Sequence, residues 1–433
     1  MLHTVAIIIK SRRKKIRVLV TENVCNVVEF SRLKASITAS VRAAKTRCHG
    51  VKGPIPLTLN KNDYNYQSHY IQRLNCVVKM KISDLYGKNW REENYIIIDT
   101  RSPQEYADDH IIGSINLPVL FDQEYKLVGR TYKEKSAFEA KKLGAQLVMK
   151  NISNHLGFAL RNFDKNKKLV FYCKRGGNRS FSFHTVCEKI GWKCYVISGG
   201  YKSYRRFVVE RTEKLSLCNE FIIVSGRTGN GKTKLLNLLE LNGLQVIDLE
   251  GLACHRGSIL GGFIDTPQPS QKQFESIIFD TLRKFRSSEI IFVESESRKI
   301  GKLTIPERFF SSIYNSKIIK IENLLNKRVD FLIKEYPNFM EDHRPILDLV
   351  NLLRKRMPKE IILDIEKYIA DRDFKKLASN LLSTHYDKSY DKSMFKRKGK
   401  LVKQFNFDCG VEDAVDHVCR YVIDNHIYKR ENL

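Results

Sequence analysis

The stretch from Glu220 to Leu236 constrains this chain more than any other. A short apolar run, Phe221 to Val224, reads as a buried strand. It runs into Gly226-x-x-x-x-Gly231-Lys232-Thr233, and then into Leu235, Leu236, Leu238 and Leu239 at helical spacing. Strand, glycine loop and helix in that order are the setting of a phosphate-binding loop. Gly226, Gly229 and Gly231 let backbone N–H groups turn inward around an anion, and the helix N-terminus adds partial positive charge. Lys232 would reach the outer phosphates and Thr233 could hold a divalent ion. A plain strand-to-helix turn has no use for either residue. The loop does not say whether the phosphates belong to a nucleotide.

At 433 residues the chain should form two or three domains, and a hydrophobic content of 42% supplies real cores, which excludes a disordered protein. Seventy-six Lys and Arg against 48 Asp and Glu leave a net charge of +28. A surplus of this size points to a polyanionic partner, nucleic acid ahead of membrane, although a lysine-rich proteome would produce it too. No apolar run approaches the roughly 18 residues a membrane span needs, so the expectation is a soluble, cytoplasmic protein with no membrane partner. The ten cysteines form no CxxC pair and no cysteine–histidine metal spacing, and they read as reduced thiols.

Residues 1–79 differ from the rest. The first 60 hold twelve Lys or Arg and only two carboxylates, Glu22 and Glu29. Such a segment suits either an organelle transit peptide or an upstream extension that takes no part in the fold, with Met80 as a natural start. The second reading is preferred, and neither puts chemistry there.

From Lys81 the pattern becomes globular. Tyr95–Asp99 is a buried strand ending in a carboxylate, and Leu169–Cys173 is a second, running straight into Lys-Arg-Gly-Gly-Asn-Arg179-Ser180. Apolar spacing from Phe181 to Ile190 predicts a helix. Strands alternating with helices predict a parallel sheet covered on both faces. A cysteine at such a strand end, opening a glycine loop onto a helix, is placed for nucleophilic work. Loop N–H groups, the helix N-terminus, Arg175 and Arg179 all favour the thiolate of Cys173. Cys173, Arg175 and Arg179 are therefore the candidate catalytic residues.

In order and spacing this segment resembles the rhodanese domain. The matching stretches are Asp99-x-Arg101-x-x-x-Glu105, His110-Ile-x-Gly113-x-Ile-Asn-Leu-Pro118 and the Cys173 loop. Cys173-x5-Arg179 also fits cysteine phosphatases of related fold, but those usually carry His where Tyr172 stands. Rhodanese followed by a phosphate loop resembles one family, tRNA 2-selenouridine synthase. The resemblance is carried by Phe171–Ser180, Gly199–Lys202, Gly226–Thr233, Asp248–Ser258 and Glu294–Gly301, and more weakly by Tyr386–Tyr390. It implies a transferase that replaces the sulfur of wobble 2-thiouridine in tRNA with selenium from selenophosphate, and that geranylates that sulfur from geranyl diphosphate. Alkylation makes sulfur a better leaving group, and selenium delivery calls for a soft carrier such as the Cys173 thiolate. Two alternatives are a sulfurtransferase passing persulfide sulfur to another acceptor, and a nucleotide-driven RNA-binding switch with a vestigial rhodanese domain.

Read from the residues alone, Gln245–Ile247 is a strand, and the loop after it carries His255, Arg256 and Ser258 toward the ligand. Arg256 suits bidentate phosphate contact and joins Gly226, Gly229, Gly231, Lys232 and Thr233 as a binding residue. For the geranyl transfer that the resemblance implies, Leu252, Ile259, Leu260 and Phe263 are candidates to line an apolar pocket for the chain. Ile290–Val293 is a further strand ending at Glu294 and Glu296. Either acid could hold an ion, but no Asp ends the strand, so no metal ligand is assigned and Mg2+ remains only an accompanying ion. Ile321–Tyr336, Pro345–Met357 and Glu360–Ile369 show helical spacing. Lys388–Lys403 is a basic run that could touch RNA. The fold class expected is α/β: a rhodanese-like parallel-sheet domain (80–214), a P-loop NTPase-like α/β domain (215–320) and a mainly helical C-terminal region (321–433).

Overall fold

A computed structural model of the chain describes residues 9–12, 15–18, 78–87, 94–255, 266–335, 344–354, 357–395 and 399–430. The chain divides into two units, Met1–Asn75 and Cys76–Leu433. In the first, strands β1 (Ile9–Arg12) and β2 (Lys15–Val18) pair as an antiparallel ribbon.

The second unit opens with a five-stranded parallel sheet. Its strands are β3 (Lys79–Met80), β4 (Tyr95–Asp99), β5 (Ile115–Asn116), β6 (Lys168–Tyr172) and β7 (Lys193–Ile197), in the order β3-β7-β6-β4-β5. The apolar runs Tyr95–Ile98 of β4 and Leu169–Tyr172 of β6 fit burial on both faces. Side chains alternate across a strand, so Ile98, Phe171 and Val196 pack with Phe183 on one face. Ile97, Val170 and Ile197 pack with Tyr204 on the other. Phe171 is fully buried, and its loss to alanine would cost about 3–5 kcal/mol.

The second sheet, also five-stranded and parallel, is built from β8 (Phe221–Ser225), β9 (Gln245–Ile247), β10 (Ile291–Glu294), β13 (Lys317–Asn323) and β14 (Leu401–Phe407). A short antiparallel ribbon, β11 (Lys299–Ile300) with β12 (Leu303–Thr304), lies between them in the chain. The order β14-β13-β8-β10-β9 puts the phosphate-loop strand β8 at the centre. Ile222, Val224, Phe292 and Ile321 face the helices Lys232–Leu241 and Val411–Asp424. Phe221, Ile223 and Val293 face Gln271–Leu282 and Glu307–Tyr314. The chain leaves β8 toward β9 on one side and leaves β10 toward β13 on the other, and ligands of open α/β sheets gather at the C-terminal strand ends beside such a reversal.

Three expected boundaries move. Val196 donates to the Val78 carbonyl at 3.0 Å and β3 pairs with β7, so the sheet begins before Met80. The helix Gly200–Cys218 runs through 214/215. Strand β13 runs through 320/321, and β14 returns from the C-terminal region to pair with it. The run from Ile321 is therefore strand to Asn323 before the helix Leu325–Glu335 begins, because Ile319 and Ile321 pack into the sheet core. Beyond it the helices Arg344–Leu353 and Lys359–Ala370 lie close to the expected spans. Among the described residues no helix is long and apolar enough to cross a membrane.

Candidate functional site

Strand β6 ends at Tyr172 and hands the chain to Cys173 at its C-terminal edge. The next helix, Asn178–Ile190, starts from Gly177 with no side-chain cap, leaving its first N–H groups directed at the loop. Cys173 Sγ accepts from the Gly177 N–H at 3.2 Å and from Ser180 Oγ at 3.4 Å. Burial raises the thiol pKa, but the bonds from Ser180, Gly177 and Arg175 N–H outweigh it and bring the thiol below its ordinary value. The loop rests on the Gly199–Lys202 turn. Gly200 has φ +57°, and a Cβ there would strike the Cys173 carbonyl oxygen, which accepts from Tyr201 N at 2.9 Å.

The two arginines expected beside the thiolate take different places. The Arg175 side chain is exposed, and its backbone N–H is what reaches Cys173. Arg179 donates to Glu105 at 2.6 Å, with its guanidinium 5.0 Å from the Tyr125 ring. Arg101, buried, bonds Asp99 through Nε at 3.0 Å and Nη2 at 2.6 Å, and lies 4.0 Å from the Tyr201 ring. The Asp99–Glu105 stretch thus braces both the turn beneath Cys173 and Arg179. Ser180 was missed from sequence, since a serine after an arginine carries no signal of its own.

At the second sheet, β8 opens into Gly226–Thr233, and the helix Lys232–Leu241 starts from Gly231 with no side-chain cap. Gly231 has φ +69°, and a Cβ would lie 2.8 Å from Val411, so only glycine lets the C-terminal helix close against the loop. Lys232 and Thr233 stand in the first helical turn, as the sequence predicts. The helix Asp387–Phe395 lies against the loop. Tyr390 Oη accepts from the Gly226 N–H at 2.6 Å, and its ring centroid is 5.9 Å from Lys232 Nζ. Arg328 donates to Thr228 O at 3.0 Å and holds Asp387 through both guanidinium arms. Arg227 holds Asp391 through Nε and Nη2. The basic run from Lys388 is therefore helical up to Phe395, and its Tyr390 bonds the glycine loop.

Three carboxylates converge at the ends of β9 and β10. Glu250, Glu294 and Glu296 each offer an oxygen, all within 4.8 Å of one another, where sequence reasoning assigned no metal ligand. Asp248 caps the short helix Leu249–Leu252, and Glu250 N–H donates to Glu294 at 2.8 Å, which fixes this spacing. Glu294 is 1% exposed, and its second oxygen is buried without a hydrogen-bond partner. Burial and then Glu296 push the Glu250 carboxyl up to about 8, against the opposing pull of Lys232. Burial and Glu250 raise Glu294 likewise. His255 is held low by burial. Leu252 is partly buried against the core of the second sheet. Arg256, Ser258, Ile259, Leu260 and Phe263 lie outside the described residues.

A cysteine cradled at the end of one parallel sheet, followed by a phosphate loop at the centre of a second, defines a rhodanese-like domain joined to a P-loop domain. The family model of the rhodanese-like domain matches residues 83–207, and that of the tRNA 2-selenouridine synthase AAA domain matches 219–419. The chain belongs to the tRNA 2-selenouridine synthase family. It is 31% identical over 346 residues to the tRNA 2-selenouridine synthase of Hydrogenovibrio crunogenus, covering 73% of this chain and 94% of that protein. It is 37% identical over 244 residues to the enzyme of that name from Nitrosomonas europaea, covering 55% of this chain and 63% of the relative. For that of Bdellovibrio bacteriovorus the identity is 36% over 254 residues, covering 58% and 66%. The matches with these last two thus span a little under two thirds of the relatives' length.

Proposed function

We propose that the protein converts wobble 2-thiouridine of tRNA to 2-selenouridine with selenophosphate, through an S-geranyl intermediate made from geranyl diphosphate. The observation that carries this reading is the pairing, on one chain, of a thiol at Cys173 that accepts bonds from Gly177 N–H and Ser180 with a separate glycine loop, Gly226–Thr233, that runs into an uncapped helix start. In the first step the thiouridine sulfur attacks C1 of the geranyl group. The C–S bond forms as the C–O bond breaks, and the diphosphate leaves with the electron pair. Loop N–H groups and Lys232 are suited to hold that developing charge, with Arg256 as a further donor. In the second step the selenium of selenophosphate, held in the Cys173 loop, attacks C2 of the base and the geranyl thiolate leaves; water then attacks phosphorus, the P–Se bond breaks, and phosphate departs, leaving selenium on C2. Arg179 and the N–H groups of Arg175 and Gly177 make that loop suitable for the phosphoryl oxygens of selenophosphate.

A divalent cation such as Mg2+ fits beside the phosphate loop, because the partnerless buried oxygen of Glu294 asks for a positive neighbour. Glu250, Glu294 and Glu296, with Thr233, would hold it. When bound it would neutralise diphosphate charge.

The reading is tested by incubating the full chain with 2-thiouridine tRNA and geranyl diphosphate. One diphosphate released per S-geranyl nucleoside formed supports it. ATP or GTP hydrolysis at the rate of product formation favours instead the nucleotide-driven alternative.

A further inference from the structure

Tyr390 stands where strand β8 opens into the phosphate loop. Its hydroxyl takes the Gly226 N–H at 2.6 Å, lies 2.6 Å from Ser225 Oγ, and lies 3.4 Å from Ser295 Oγ. Ser225 ends β8 and Ser295 follows the end of β10, so the phenol bridges the C-terminal edges of two adjacent strands. The ring lies 5.9 Å from the Lys232 ammonium. The helix that carries it is clamped on either side, through Asp387 to the nearly buried Arg328 and through Asp391 to Arg227.

In a loop of this kind the backbone N–H groups hold the inner phosphates while the lysine reaches the outer ones. A third phosphate would continue past Lys232 toward the ends of β8 and β10. The phenol of Tyr390 lies at those strand ends, with its ring beside Lys232. We propose that Tyr390 makes the loop selective for diphosphates by filling the position of a third phosphate. The ring excludes by bulk, and the hydroxyl keeps it seated by satisfying Gly226 N–H. The inference rests on the reading of Gly226–Thr233 as a phosphate site, and it does not depend on which organic group the diphosphate carries.

The test uses the full chain, Mg2+, and two probes without an organic group, inorganic pyrophosphate and inorganic tripolyphosphate, by calorimetric titration. The wild type is expected to bind pyrophosphate roughly tenfold or more tighter, a discrimination achieved by exclusion. Tyr390→Ala should bring the two within about threefold by admitting tripolyphosphate. Tyr390→Phe, which keeps the ring, should retain the preference. Should the alanine variant fail to fold, Tyr390→Ser and the wild-type ratio decide. Equal binding of both probes by the wild type, or a preference unchanged in a folded Tyr390→Ala or Tyr390→Ser, overturns the proposal. Binding of neither probe overturns the phosphate-site reading with it. Pyrophosphate selection without geranylation leaves this proposal standing and removes only geranyl diphosphate.

Discussion

Arg179 donates to Glu105 across 2.6 Å, joining the helix behind Cys173 to the short helix Pro103–Asp108 that follows β4. The pair is only partly buried, so its contribution to stability is at most about 1 kcal/mol. Its value lies in fixing a guanidinium at the mouth of the cysteine loop. Glu105→Gln should fold with an almost unchanged melting temperature, while the selenium step slows by about ten- to a hundredfold as Arg179 loses its anchor. Selenouridine formation at the wild-type rate would show that the pair does not position the site.

Ser180 and the loop amides hold the Cys173 thiol below its usual range against the effect of burial. The rate of alkylation by iodoacetamide should therefore persist to lower pH than for an ordinary thiol. In Ser180→Ala one stabilising bond to the thiolate is gone, so the midpoint moves to higher pH and reaction near neutrality slows. Identical pH profiles for the two proteins would remove Ser180 from the account.

Much of this could be read from the chain, because both sites follow one local rule. A buried strand, a glycine turn and a helix start lie consecutively, so Cys173, Lys232 and Thr233 are legible from spacing alone. Ser180 escaped because it acts through a hydroxyl whose geometry the sequence does not signal, and Arg175, named for its charge, reaches Cys173 through its backbone N–H instead. The rest of what escaped depends on contacts between distant segments. Tyr390 reaches the loop from 164 residues away. Glu250 meets Glu294 only because β9 and β10 are neighbours in the sheet. The boundary at 320 failed because the apolar spacing from Ile321 fits a helix while the sheet takes its first residues as strand.

The raised carboxyl of Glu250 makes stability depend on pH with a definite sign. Its pKa in the folded state is about 8, above the ordinary 4.5, so its contribution is complete below 4.5 and is lost as pH rises toward 8. The melting temperature should fall over that range, and Glu250→Gln should flatten the slope. Mg2+ should raise the melting temperature more at pH 8 than at pH 6, since a cation needs the ionised form. A pH profile unchanged by the substitution would contradict the convergence of the three acids.

Removal of residues 1–75 should leave the melting temperature of the remainder nearly unchanged, because the chain divides there. Starting at Met80 instead removes Val78 and Lys79, and with them the bond from Val196. Each lost backbone bond should cost about 0.5–1.5 kcal/mol, visible as a lower denaturant midpoint. Equal stability of the two truncations would show that β3 adds nothing.

The division of labour between the two sites is tested most directly by mass spectrometry of wobble nucleosides. The tRNA is treated with geranyl diphosphate and selenophosphate by wild type, Cys173→Ser and Lys232→Ala. The account predicts 2-selenouridine from the wild type, S-geranyl-2-thiouridine accumulating with Cys173→Ser, and unaltered 2-thiouridine with Lys232→Ala. Near-normal 2-selenouridine from Cys173→Ser, or full geranylation by Lys232→Ala, would contradict it.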